Sequence, residues 1–278
     1  MGGDVWNVVL GVVSSAVSAV LAWSLQAGLR RRRLNRRRAF FGMPAGSEAL
    51  VVVPRKAGTG KEDRVVAQRD VYALMELATL IRECGATATV LPHDEVRQGL
   101  GDKTEFCIGG VYANDRSAAH LRWKFPGVGV TAEWEQWGAN KLIIGGREFV
   151  RDKTKEDYAL LLRIAAGEGG RPTFLVHGQT ATANLATVRY LTRHIGELIR
   201  RYPGDQTFAL LLRVVQPFAY GPDVVELVGD VTAQALEAPA AGQPAPLPPV
   251  REQRSAAPSP SPAAGEPAAS ASPSAPQS

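Results

Sequence analysis

The stretch PTFLVHGQTATANLATVRYLTRHIGELIRRYPG, residues 172–204, constrains the fold most. A short apolar run closes on His177 and Gly178, and Thr180 or Thr182 can cap the next element. Leu185, Val188, Leu191, Ile195 and Leu198 then recur at helical spacing, so the segment reads as a strand feeding directly into an amphipathic helix. Repeated units of this kind lay strands parallel and cover the sheet with helices.

The pattern does repeat. EALVVVPR at 48–55 is a continuous apolar run suited to a strand buried on both faces. Residues 64–84 place Val71, Leu74, Ala78 and Ile81 on one helical stripe, with Gly85 as the stop. ATATVLPH and TEFCIGG are further strand candidates, and SAAHLRWKF, capped by Asn114 or Asp115, is a helix candidate. GVGVTAEW and KLIIGGREFV also look like strands, whereas YALLLRIA fits neither period. TFALLLRVV and DVVELVGDV suit antiparallel partners near a sheet edge. Together they predict an α/β fold, a Rossmann-like three-layer sandwich with a mostly parallel sheet, over residues 47–236.

The two ends differ from this middle. Residues 5–29 carry no charged side chain, enough length to cross the roughly 30 Å hydrocarbon layer as a helix. RRRRLNRRR follows at once, from Arg30 to Arg38, with seven arginines in nine positions. Basic residues flanking a span stay on the cytoplasmic side, which predicts one transmembrane helix, residues 1–4 outside and everything after it inside. A cleaved signal peptide needs the opposite order of basic and apolar segments. Residues 30–46 read as an Arg-rich juxtamembrane linker that also attracts anionic lipid. The net charge of +5 comes from this block, since without its seven arginines about −2 remains. Basic residues are not interleaved with aromatics over a folded face, which argues against nucleic acid. Residues 237–278 are dominated by Ala, Pro and Ser and predict a disordered tail, a spacer or a docking segment for a protein partner.

Ligands of open α/β sheets gather beyond the carboxyl ends of the strands. Three glycine loops are candidates: Gly109 and Gly110 with Asn114, Gly145 with Gly146, and Gly178 with Gln179 and Thr180. Each glycine pair can mark a plain turn, or backbone kept bare so that a phosphate can reach N–H groups at a helix start. Neither the dinucleotide fingerprint nor the Walker pattern is present, and AGTGKEDR at 57–64 lacks the spacing and the Ser or Thr of a phosphate loop. It reads as a loop that could close over the site. Acid–base candidates are His93, Asp94 and Glu105, with Asp102 and His177 also in view. Asp94 can equally be a cap, and Glu105 an edge carboxylate facing water. Cys84 and Cys107 read as small buried hydrophobes, and His93, His120, His177 and His194 lack metal-ligand spacing, so neither metal nor cofactor is predicted.

A strand ending in Gly109-Gly110, an asparagine four residues on at Asn114, and HGQT opening a later helix together resemble the Rossmann-like, SLOG-like nucleotide-sensing domains of bacterial signalling and defence systems. The resemblance implies recognition of a nucleotide or a derivative, and some members carry a membrane helix. The leading expectation is a membrane-anchored sensor of a phosphorylated small molecule. Two others stay open: a hydrolase acting on a nucleotide or glycosidic bond, and an inert scaffold working through the Pro-rich tail.

Overall fold

The computed structural model describes residues 2–55, 65–131 and 141–238. In chain order the elements are α1 (Gly2–Phe41), β1 (Glu48–Val53), α2 (Gln68–Glu83), β2 (Thr87–Pro92), β3 (Thr104–Ile108), α3 (Asp115–Lys124), β4 (Val128–Thr131), β5 (Lys141–Ile144), β6 (Arg147–Val150), β7 (Glu156–Ile164), β8 (Thr173–Gly178), α4 (Ala181–Arg193), α5 (Ile195–Arg201), β9 (Phe208–Val215), α6 (Pro217–Tyr220), β10 (Val225–Asp230) and α7 (Thr232–Leu236). The loop at 57–64 and the tail from residue 239 lie outside the described residues.

The fold is mixed α/β around a seven-stranded sheet ordered β10-β9-β7-β8-β3-β1-β2, compatible with a Rossmann-like arrangement. β2, β1, β3 and β8 pair in parallel. β7 runs against β8 and β9, and β10 closes the edge antiparallel to β9, as the sequence predicts for the last two strands. YALLLRIA, ambiguous by period, is part of β7: it lies between β8 and β9 with both faces covered, which removes the alternation that would identify it.

Two cores flank the sheet. One joins Phe106, Phe174 and Phe208 to α2, α4 and α5. The other packs Cys107, Leu160, Leu175 and Leu211 against α3, α7 and a three-stranded antiparallel sheet of β4, β5 and β6. The second covering layer is therefore partly sheet, its three strands pairing antiparallel with one another.

The segment expected to be a linker after the arginines is helix up to Phe41, and its end is core. Phe40, Phe41 and Met43 are buried. Phe41 lies 5.2 Å from the Phe174 ring and 5.9 Å from that of Phe106, and the Arg163 guanidinium stacks 5.1 Å over Phe40. Gly42, at φ +63°, stops the helix: its N–H donates to Ala39 O, and the Met43 N–H donates to Arg38 O, the paired bonds of a Schellman cap. Thr104 Oγ1 donates to Phe41 O at 2.8 Å, so α1 joins the domain at the end of the sheet where the parallel strands begin. Among the described residues no helix is long and apolar enough to cross a membrane, and many side chains of residues 5–29 lie outside the described set. Phe41→Ala should cost about 3–5 kcal/mol in urea denaturation, because it empties the centre of this aromatic cluster.

Candidate functional site

Because β1, β3 and β8 are parallel neighbours, their carboxyl ends form one rim, and the loops after them open α2, α3 and α4 there. The structure brings Gly109, Gly110, Asn114, His177, Gly178, Gln179 and Thr180 to this rim. His93 and Asp94, after β2, stand at its outer end.

Each residue has a defined local task. Asn114 caps α3, accepting from the Ser117 N–H at 3.0 Å while its amide donates to Ile108 O at 2.8 Å. Thr180 caps α4, and its hydroxyl donates to Asp157 Oδ2 at 2.6 Å, while Arg151 Nε donates to the other oxygen. The Gln179 side chain accepts from the Tyr158 N–H and donates to Phe149 O, tying the rim to β7 and β6. Asn184 accepts from the Gly178 N–H and donates to the buried Asp70, whose pKa burial raises against the effect of that bond. Asn184 lies where the sequence leads the HGQT loop, whereas Asp157, Arg151 and Asp70 complete the rim without a sequence signal, since only folding places them side by side.

The glycines divide by what a side chain would meet. Gly109 sits at φ +100°, and a Cβ there would lie 2.8 Å from Pro54; at Gly178 it would lie 2.7 Å from the Asn184 nitrogen. Both are demanded by the backbone. Gly110 has an ordinary φ, and a Cβ there would stand 3.4 Å from Gly178 O and from His177 Cε1, which is van der Waals contact. Its bareness is not required for folding. Gly145 and Gly146 do not join the rim. Both have positive φ in the two-residue β5–β6 hairpin, as a type I′ turn requires, and Gly145 packs on Gln234 of α7 at the opposite end of the sheet.

His177 is 2 % exposed and its Nδ1 has no hydrogen-bond partner among the described residues. Burial pushes its pKa down to about 4, so at neutral pH the ring is uncharged and offers a hydrogen bond. His93 Nδ1 accepts from the Asp115 N–H at 3.4 Å, and Asp94 pairs with Arg55. Burial also lowers the His93 pKa, against the pull of Asp115 and Asp94.

Glu105 is not with them and is not an edge carboxylate. It is 2 % exposed in the central strand β3, well before the rim. Arg116 Nε and Nη2 donate to its two oxygens at 2.8 Å each, and His120 Nε2 and Cys107 Sγ lie 3.0 Å from Oε1. Burial alone would raise its pKa, but the Arg116 and His120 hydrogen bonds outweigh it and hold the group at about 2. A buried, paired carboxylate of this kind cannot serve as acid or base at the rim. The sequence did carry a hint of this cluster: Glu105 and Cys107 share a strand face, and Arg116 and His120 share a face of the next helix. Histidine spacing alone missed it.

A separate groove of about 460 Å³ lies between β6 and the β7–β9–β10 edge, lined by Arg147, Phe149, Tyr158, Arg213, Glu226 and Val228. It meets the rim at Phe149 and Tyr158, the two residues whose backbone Gln179 bonds. Comparison of the chain with family models, characterised proteins and solved structures finds no match.

The spare and the compulsory glycines should separate in a stability measurement. Gly109→Ala and Gly178→Ala should each cost about 1–3 kcal/mol in urea denaturation, while Gly110→Ala stays within about 0.5 kcal/mol of the parent. The buried imidazole makes stability depend on pH. His177 has a folded pKa below its unfolded value of about 6.5, so the stability it withholds from the protonated state is intact above 6.5 and drains as pH falls toward 4. Unfolding free energy should drop by roughly 3 kcal/mol across that window through this group, and His177→Gln should flatten that part of the profile.

Proposed function

We propose that this chain is a single-pass membrane protein whose Rossmann-like domain senses a phosphorylated small molecule, by class a nucleotide, at the rim where Gly110, His177 and Gly178 meet. The observation that carries the reading is the pairing of a glycine the fold does not demand with a buried imidazole nitrogen lacking a partner among the described residues, 3.8 Å from where the missing Cβ would be. α3 and α4 begin within a few residues of this point, and their N-terminal dipoles favour an anion. On this reading Gly110 admits the ligand, His177 gives it a neutral hydrogen bond, and Thr180 and Asn114 hold the two helix starts in place. The domain would work as SLOG-like nucleotide sensors do.

The membrane part of the proposal rests on α1. The described apolar side chains of residues 5–29 stand uncovered, with Leu21 65 % and Trp23 71 % exposed, and Arg30, Arg31, Arg32, Arg33 and Arg36 are exposed after them. A bilayer would cover the first group, and anionic headgroups would neutralise the second at about 1 kcal/mol per residue. The amino terminus lies outside the cell on this reading and the domain in the cytoplasm. Because α1 enters at the start of the parallel strands, the ligand rim points away from the arginine block. A hydrolase is less well supported, since His93, Asp94 and Glu105 do not converge. The Pro-rich tail of the scaffold reading lies outside the described residues.

A thermal-shift series on the full chain in detergent, with nucleoside mono-, di- and triphosphates and inorganic phosphate, tests the site. At least one nucleotide should raise the melting temperature, and Gly110→Val should abolish that rise while keeping its own unliganded transition. No stabilisation by any nucleotide, or an undiminished rise in Gly110→Val, rejects the proposal.

A further inference from the structure

Glu105 Oε1 is approached by three groups at once: Arg116 Nε at 2.8 Å, His120 Nε2 at 3.0 Å and Cys107 Sγ at 3.0 Å. A carboxylate oxygen has two lone pairs, so three donors over-subscribe it. The sulfur, the imidazole nitrogen and the carboxylate oxygen all lie within 4.8 Å of one another and all three residues are buried. Ser117 adds to the cluster. It is fully buried, and among the described residues its hydroxyl faces no polar group but the Cys107 sulfur.

We infer that Glu105, Cys107 and His120 form a binding site for a thiophilic divalent cation of the zinc class, separate from the rim. Arg116 and the protons of the thiol and the imidazole hold these three groups together around one carboxylate oxygen, and a metal ion can take the place of the protons between sulfur, nitrogen and oxygen. Thiolate, imidazole and carboxylate are the ligand types zinc takes, at about 2.3, 2.0 and 2.0 Å, and a tetrahedral ion would hold the three donor atoms roughly 3.3–3.6 Å apart. The two 3.0 Å contacts need open by only a few tenths of an ångström. Binding releases the Cys107 thiol proton to solvent and takes the His120 tautomer that leaves Nε2 bare, so the ion meets one thiolate, one carboxylate and one imidazole nitrogen. Arg116 keeps its bond to Glu105 Oε2 and swings off Oε1, a movement open to it because its side chain is 19 % exposed. The fourth ligand would be a water. The paired donors come from one strand face and one helix face, so the site clamps α3 onto β3.

Titration of the full chain with Co²⁺ tests this. A thiolate-to-cobalt charge-transfer band saturating at one equivalent, displaced by Zn²⁺, is expected. Cys107→Ser and His120→Asn should each lose the band while retaining the parent far-ultraviolet circular dichroism. Absence of the band in the parent chain overturns the inference whatever the variants do, and so does a band that survives in a folded Cys107→Ser. Arg116→Gln supplies a further check: it removes the counter-charge of Glu105, and Zn²⁺ should raise its melting temperature more than that of the parent chain.

Discussion

Parallel pairing of β3 with β1 on one side and β8 on the other is the constraint on which the rest of the molecule depends. Strands so paired need crossover connections, and their two faces must both be covered, because every residue of β3 and of β8 is buried. From that requirement come the two cores, the placement of α2, α4 and α5 on one face, and the use of α3 with a small antiparallel sheet on the other. Parallel direction also puts the ends of three strands on one rim. Gly110 and Gly178 are neighbours for that reason, although 68 residues separate them in the chain.

The opposite end of the sheet is closed by aromatic packing. Phe40 and Phe41 meet Phe106, Phe174 and Phe208, and the buried Arg163 crosses two of these rings while donating to Gly204 O and Gln206 O. Its charge is tolerated because ring faces and carbonyls replace water. The arrangement makes α1 continuous with the domain instead of tethered to it. Arg38 Nε donates to Cys84 O at the foot of α2, which makes part of the basic block a structural contact. Arg37 pairs with Glu83 at 3.3 Å, and Arg30 to Arg33 and Arg36 are exposed.

Much of this was legible in the chain. The strand-to-helix units, the stop at Gly85, the caps at Asn114 and Thr180, and the antiparallel final pair come from local rules: helical stripes, cap chemistry and turn residues act within a few positions. The convergence of Gly110 with Gly178 could be anticipated because parallel units put such loops on one rim. Three features resisted. Gly145 and Gly146 looked like a rim loop because a glycine pair reads alike in a hairpin and beside a ligand. Phe40 and Phe41 looked like the end of a linker because the arginines before them mask a Schellman stop at Gly42. Glu105 looked accessible because a strand carboxylate shows its partner only once the next helix is laid across it.

The sequence by itself determined the element types, most of their ends and the direction in which strands feed helices, since these depend on side-chain period and backbone preference within one or two turns. Tertiary structure alone decided which bare glycine is spare and which is compulsory, and which carboxylate is sealed among Arg116, His120 and Cys107. Those properties are distances between atoms far apart in the chain, and no local preference encodes them.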